Sequence, residues 1–139
     1  MGEPSEGPGA NHAGAQPLRL VYETVRALAE SSTLAEAGPR MLEAICRSLG
    51  WEHGALWSVS RAGLILCCNA TWHQPTPQFD EFTAVSRACE FAPGIGLPGR
   101  VWASRQSAWI PDVVHDSNFP RASAADRAGL HGALGFPIL

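Results

Sequence analysis

The chain has 139 residues and a formal net charge of -3, and 45% of its residues are hydrophobic. This length allows one domain, and this hydrophobic fraction is sufficient to form a core. All ten basic residues are arginines, which excludes a Walker-type phosphate-binding lysine and a Schiff-base lysine. The lack of a basic block argues against binding of nucleic acid or a membrane surface, and no apolar run approaches the ~18 residues of a membrane-spanning helix. We therefore predict a cytoplasmic protein.

The composition of the chain changes at Leu18. Residues 1–17 contain three prolines and four glycines and almost no bulky apolar side chain, which predicts a flexible leader before one domain at residues 18–139. Apolar residues then recur at three- and four-residue spacing in Leu18–Ser31, which is typical of an amphipathic helix. We expect this helix to form a homodimer, because its apolar stripe suits packing against a second copy.

A second helix is predicted between Thr33 and Gly50. Thr33 and Glu36 have the spacing of a capping box, and a glycine suits the position that ends a helix. The dipeptide Gly38-Pro39 leaves a later start, near Pro39, open.

A β-hairpin and a third helix are expected next. The strands are Gly54–Val59 and Leu64–Trp72, and strict alternation places one set of the second strand's side chains on a single face: Leu64, Leu66, Cys68, Ala70 and Trp72. Thr76-Pro77 then opens a helix, which a short strand at Glu90-Phe91 follows. The expected inner face of that helix contains Phe79, Phe82, Val85 or Ser86, and Cys89.

Three glycines in six residues mark the segment Gly94–Gly99, around which we expect the domain to be organised. They predict a tight turn that leads into a short helix with Val101 and Trp102, followed by a strand at Ala108–Ile110. The glycine spacing also matches a dinucleotide-binding fingerprint, but the apolar stretch before it is only Phe91-Ala92 and the helix after it is short. We therefore favour a structural turn that roofs a ligand cavity.

The last predicted elements are a short helix over Ala122–Ala128, ended by Gly129, and a final strand. The strand is indicated by the alternation of Leu134, Phe136 and Ile138.

The four cysteines form no C-x-x-C pair, and we expect them to be reduced thiols without a metal. They are Cys46, Cys67, Cys68 and Cys89. Because Cys67 and Cys68 are neighbours in a strand, they point to opposite faces and do not share a ligand.

From Leu18 to Leu139 the chain resembles a GAF domain of the type found in bacterial sensor kinases. The resemblance rests on Leu49-Gly50-Trp51, Ala55-Leu56-Trp57, Trp72, Gly94-x-Gly96-Leu97-Pro98-Gly99-Arg100-Val101-Trp102, Trp109-Ile110-x-Asp112-Val113, Phe119-Pro120-Arg121-Ala122, Ala125, Gly129-Leu130 and Gly135-Phe136-Pro137-Ile138. It implies an α+β fold, with an antiparallel sheet, helices on one face, and loops with a short helix around a pocket on the other. Family members continue into further strands, so the resemblance implies a domain without its last strands.

Catalysis and bound cofactors are not expected. The GAF branch that reduces methionine sulfoxide resembles this turn, but it has a cysteine where this chain has Pro98, and Cys89 belongs to the expected inner face of a helix. No cysteine precedes a histidine as in bilin-binding members, and the reasonable axial ligands for haem are His115 and His131, which more often serve locally. We predict no catalytic residue, no cofactor and no metal.

The expected function is a sensory or regulatory module of a signal-transduction protein of the sensor histidine kinase type. It would bind a small molecule or form a homodimer, with no nucleic-acid or membrane partner. One alternative is a structural or dimerisation remnant without ligand. A less favoured alternative is a methionine sulfoxide reductase-like enzyme. The candidate ligand-binding residues are Trp72, Trp109, Asp112, Phe119 and Arg121. The aromatic residues suit a cavity wall, whereas Asp112 and Arg121 supply polarity or cap their own loops.

Overall fold

The computed structural model describes residues 19–20, 22–23 and 33–138. Residues 19–20 and 22–23 are helical and belong to the predicted helix Leu18–Ser31, whose other residues lie outside the described part, as do the predicted leader 1–17 and Leu139. Within the described ranges, no helix has the length and apolar character needed to cross a membrane.

From residue 33 onward the structure contains helices and short antiparallel strands, which confirms the predicted α+β class. The helices are α1 (Leu34–Leu49), α2 (Asp80–Ala88), α3 (Gly96–Ser104) and α4 (Ala122–Ala128), with single 3-10 turns at Pro77–Phe79 and Val113–His115. The strands are β1 (His53–Val59), β2 (Leu66–His73), β3 (Glu90–Phe91), β4 (Ala108–Ile110) and β5 (Ala133–Gly135). Strands β1, β2 and β3 form one sheet in that order, and β4 pairs with β5 in a second.

Helix α1 uses the earlier of its two predicted starts. Thr33 is its N-cap, and the Thr33 hydroxyl accepts a hydrogen bond from the Glu36 backbone N–H at 3.3 Å. The helix continues through Pro39 and ends at Gly50, whose φ of 68° is the left-handed conformation that glycine adopts without strain.

The β1–β2 hairpin contains a bulge that the sequence pattern did not reveal. Leu56 pairs with Ala70 whereas Trp57 pairs with Cys68, so Asn69 has no partner residue in β1. The extra residue reverses the alternation of β2, and Ala70 turns away from the face that carries Cys68. A Cβ atom on Gly38 of α1 would lie 2.7 Å from the Ala70 Cβ. The expectation that Ala70 and Trp72 share a face with Cys68 is therefore wrong.

The bulge leaves two different layers on the two faces of the β1–β3 sheet. Helix α1 covers one face, where a Cβ on Gly54 would meet the side chains of Cys46 and Leu42. The other face carries Trp57 and Phe91, and the main core lies on this side. The buried members of that core are Phe79, Phe82, Leu97, Val101, Ile110, Val113, Phe119, Ala124, Ala125 and Ala128. The prediction for this helix agrees with the burial of Phe82 and Ser86 in α2 and of Phe79 in the turn before it, but Cys89 lies after the helix, in extended backbone, and is not on its inner face.

Candidate functional site

Arg121 lies inside the core, with 6% of its surface exposed. Its guanidinium carbon is 4.9 to 5.4 Å from the centres of four aromatic rings, those of Trp57, Phe82, Phe91 and Phe119. The rings come from β1, α2, β3 and the loop before α4. We call these five side chains the arginine cluster. The ring faces attract the cation, and the attraction strengthens where water is excluded.

The chain around Arg121 explains how a long polar side chain enters the interior. Arg121 is the N-cap of α4, and its carbonyl accepts a hydrogen bond from the Ala125 N–H at 2.9 Å. The buried face of α4 consists of Ala124, Ala125 and Ala128, so the helix packs closely against its neighbours. The side chain of Arg121 then extends from the first turn of α4 to Ser86 on α2.

The hydrogen bonds of the Arg121 guanidinium are incomplete. Nη1 donates to the Ser86 hydroxyl at 2.8 Å, but Nε is buried without a partner. Among the residues that the structure describes, no carboxylate pairs with it. Burial lowers the pKa of Arg121 to about 10, which still leaves the side chain charged at neutral pH. The core therefore contains a positive charge without a carboxylate counter-charge, an arrangement that costs free energy.

His53 adds a second titratable group beside the arginine cluster. Its ring lies edge-on to Phe82, with 4.8 Å between centroids, and its Nε2 is buried without a hydrogen-bond partner. Burial, followed by the charges of Arg121 and His73, lowers the pKa of His53 to about 4. The imidazole is therefore neutral at pH 7, with one nitrogen free to donate to or accept from a ligand.

The glycine turn covers the arginine cluster directly. Gly96 has a φ of 66°, and a Cβ on it would lie 2.8 Å from Cε1 of Phe91. Gly99 approaches the Ala92 carbonyl so closely that a Cβ there would overlap it. Glycine is required at both positions, because a side chain would meet the Phe91 ring at position 96 and the Ala92 carbonyl at position 99. The space beneath Gly96, where a cavity was expected, is thus filled by Phe91.

Polar side chains fasten this turn to the loop at 116–118. The Gly96 N–H donates to Oδ1 of Asn118 at 2.9 Å, and Nδ2 of Asn118 donates to the Gly94 carbonyl at 2.9 Å. Arg100 forms an ion pair with Asp116 and lowers the pKa of that carboxyl. Arg100 also donates to the Asn118 carbonyl at 2.6 Å.

A hollow of about 440 Å³ opens between α2 and the end of β2. It is lined by His73, Asp80, Thr83, Ala84 and Arg87. Thr83 is a buried residue of this lining, and its Oγ1 has no hydrogen-bond partner. Arg87 donates from Nε and Nη2 to the Thr71 hydroxyl, at 3.1 and 2.8 Å.

The sequence profile of the GAF domain matches residues 31–139. The chain belongs to the GAF domain family. GAF domains are sensory modules of signalling proteins. No curated protein matches the chain.

Solved GAF domains have the same fold. The structure is similar to the A. aeolicus Nlh2 GAF domain in an inactive state, with a TM-score of 0.69 and 22% identity over 90% of this chain and 72% of that one. A putative GAF sensor protein from Burkholderia vietnamiensis gives a TM-score of 0.57 and 16% identity over 82% of this chain and 64% of that one. At these identities the likeness concerns the fold alone.

Two of the five predicted ligand-binding residues of this GAF domain come together. Phe119 and Arg121 are both buried in the arginine cluster. Trp72 lies apart from them on the α1 side of the sheet, where the Arg47 guanidinium is 5.8 Å from its ring centre. The bulge at Asn69 is the physical reason. A role in ligand binding stays a prediction for each.

The other two predicted residues lie near the β4–β5 sheet. Trp109 is 59% exposed, and its ring centre is 6.4 Å from that of Trp51. Asp112 accepts hydrogen bonds from the Val114 N–H at 3.1 Å and lies 2.7 Å from Nδ1 of His115. The oxygen that accepts from Val114, Oδ1, also lies 3.1 Å from Nδ1 of His131. These contacts lower the pKa of Asp112 to about 2, and they match the local capping role that the sequence left open.

Sequence reasoning missed several members of the site. The contact of Trp57 with Arg121 was not expected, and Ser86 was one of two alternatives on the inner face of α2. The histidines considered for haem, His115 and His131, are exposed and contact Asp112 instead. Within the described residues, no group of His, Cys, Asp and Glu side chains has the arrangement of a metal site.

Proposed function

We propose that this GAF domain is a non-catalytic sensory module that binds a small molecule with an anionic group, which Arg121 recognises. The observation that carries the proposal is the buried guanidinium with an unpartnered Nε and no carboxylate beside it in the described chain. A carboxylate or phosphate oxygen would supply the missing acceptor and the missing negative charge. Because Phe91 fills the space beneath Gly96, such a ligand would enter only when the glycine turn and this ring move apart, and His53 and the rings would then contact its apolar body.

The proposed signal is a change in the position of the glycine turn. The turn contacts the arginine cluster through Phe91, and Asn118 fastens it to the 116–118 loop. A ligand that binds better to one arrangement of these segments shifts the population toward it. We assign the chain to a signal-transduction protein of the sensor histidine kinase type, in which such a shift reaches the output through the terminal helices.

Dimerisation through Leu18–Ser31 is the second part of the proposal. Tyr22, on the apolar stripe, is 66% exposed. An exposed apolar side chain within a helical stripe suits contact with a second copy. Val25→Asp, on the stripe, should convert a dimer to a monomer in analytical ultracentrifugation, whereas Ala27→Asp, on the opposite side of an ideal helix, should leave the dimer intact. A wild-type chain that is monomeric at high concentration would contradict this part.

The ligand is tested by mass spectrometry of small molecules released from the purified full chain. We expect an anionic compound to accompany the wild-type protein and to be lost in Arg121→Gln. The control is Arg127→Gln, which removes an exposed arginine of the same helix that pairs with Glu81. A wild-type protein that is empty and also ignores added carboxylates and phosphates would instead favour the second candidate, a structural or dimerisation module without ligand.

A further inference from the structure

Cys68 and Cys89 come directly after the last residue pair of the β2–β3 ladder. Leu66 pairs with Phe91 and Cys67 with Glu90, and the same antiparallel register continued by one residue sets Cys68 against Cys89. Cys89 follows α2 in an extended conformation, with φ of -79° and ψ of 145°, as the start of a strand requires. Directly opposite residues in antiparallel strands have Cα atoms about 4.5 or 5.5 Å apart, and both values lie within the range that a disulfide spans.

The two side chains also share a face. Alternation from the Leu66–Phe91 pair places Cys68 and Cys89 on the side of the sheet that carries the arginine cluster. Both sulfur atoms lie near enough to Arg121 to raise its pKa when they are ionised. Cys67 points to the other face, opposite Glu90, although it is the next residue in the chain. All four cysteines are free thiols in this structure, and Cys68 and Cys89 are both partly exposed.

We infer that Cys68 and Cys89 form a reversible disulfide when the protein meets a hydroperoxide. This is a modification site separate from ligand binding, and it does not rest on the proposed function. The Cys68 thiol lies 3.7 Å from the Ala70 carbonyl, so forming the disulfide requires the side chain to leave this contact. Burial raises the pKa of Cys68, and the guanidinium groups of Arg121 and Arg87 reduce this rise without reversing it.

The chemistry needs one equivalent of hydroperoxide and no catalyst. One thiolate attacks the peroxide oxygen, the O–O bond breaks, and a sulfenic acid and an alcohol or water result. The second thiol then attacks the sulfenic sulfur, an S–S bond forms, and the hydroxyl leaves as water. Two thiols are oxidised, the peroxide is reduced, and a dithiol such as dithiothreitol restores the starting state.

The test treats the reduced full chain with one equivalent of hydrogen peroxide, followed by alkylation and tryptic digestion without reductant. Cleavage after Arg61, Arg87 and Arg100 separates peptide 62–87, which contains Cys67 and Cys68, from peptide 88–100, which contains Cys89. We expect the two peptides to be joined, with loss of two hydrogen atoms, and to be released by dithiothreitol. Cys67→Ser should leave the link intact, because this neighbour points to the other face.

Cys68→Ser and Cys89→Ser should each abolish the link while circular dichroism and thermal melting show a folded chain. If either variant fails to fold, Cys67→Ser with wild type still decides the question, since fragmentation of the joined peptides locates the sulfur. A link through Cys67, a bond between two chains, or four thiols that remain free after peroxide treatment would overturn the inference.

Discussion

Arg121 on α4 and Ser86 on α2 are joined by a 2.8 Å hydrogen bond across 35 residues of sequence. Ser86 is fully buried, and its hydroxyl is the only acceptor of the Arg121 guanidinium in the described part of the chain. The bond therefore connects two helices through Arg121, which is the one buried charged side chain among the described residues. It also fixes the direction in which the unpartnered Nε points.

Ser86→Ala should destabilise the protein by about 1–3 kcal/mol, because a second nitrogen of a buried cation is left without a partner. Equilibrium urea unfolding measures this directly. Ser104→Ala is the matched control, since the Ser104 hydroxyl is exposed and bonds only within its own turn. Equal midpoints for Ser86→Ala and wild type would show that the rings alone hold Arg121.

Gly96→Ala should be far more harmful than Gly63→Ala, although both glycines have positive φ angles of 66° and 73°. A Cβ on Gly63 meets nothing within 4 Å, so that variant reports the backbone cost alone, about 1 kcal/mol. At Gly96 the new methyl meets the Phe91 ring, and overpacking adds roughly 1–3 kcal/mol. Similar thermal midpoints for the two variants would contradict the tight packing of the turn.

Asn118→Ala should loosen the glycine turn without unfolding the domain. The variant removes both hydrogen bonds to Gly94 and Gly96, so hydrogen exchange of the amides at 94–99 should accelerate while those of α1 stay unchanged. Asn118→Asp keeps the acceptor for the Gly96 N–H but sets a carboxylate oxygen against the Gly94 carbonyl, so the amides at 94–99 should exchange faster in this variant as well. Unchanged exchange in Asn118→Ala would show that the turn is held by packing alone.

Stability should fall as the pH is lowered from about 6.5 to about 4, because the pKa of His53 is about 4 in the folded protein. A depressed histidine pKa means that the unfolded chain binds the proton more readily. The neutral His53 ring therefore makes its full contribution to the free energy of unfolding above pH 6.5. This contribution, on the order of 3 kcal/mol, is lost as the pH falls toward 4. Urea unfolding at a series of pH values gives the slope.

His53→Phe should remove most of that slope, while His115→Asn, at an exposed site, should retain it. A second decrease in stability is expected at lower pH, when Asp112 becomes protonated. A carboxyl with its pKa lowered to about 2 stabilises the fold only while it is ionised. If the stability of His53→Phe depends on pH as steeply as that of wild type, the group that titrates is not His53.

The sequence predicted the parts of the fold that depend on local chemistry. Thr33 and Gly50 bound α1 as their capping preferences indicate, and the three glycines form the expected turn. The bulge at Asn69 could not be predicted, because a single extra residue leaves no mark in an alternating pattern. As a result, Trp72 lies on the α1 face of the sheet and not on the predicted one. The burial of Arg121 depends on rings from four separate segments, so only the tertiary structure reveals it.

The central claim is that Arg121 recognises an anionic group, and the signal of its Nε–H in a nitrogen-15 NMR spectrum tests it most directly. The signal is identified by its loss in Arg121→Gln, and benzoate is a suitable probe because it joins a carboxylate to a flat apolar ring. We predict that benzoate, or inorganic phosphate in a parallel titration, shifts the Arg121 signal saturably and leaves that of Arg127 unchanged. An Arg121 signal that neither anion moves, in a chain that stays folded, would contradict the claim and make Arg121 a structural cation held by its four rings.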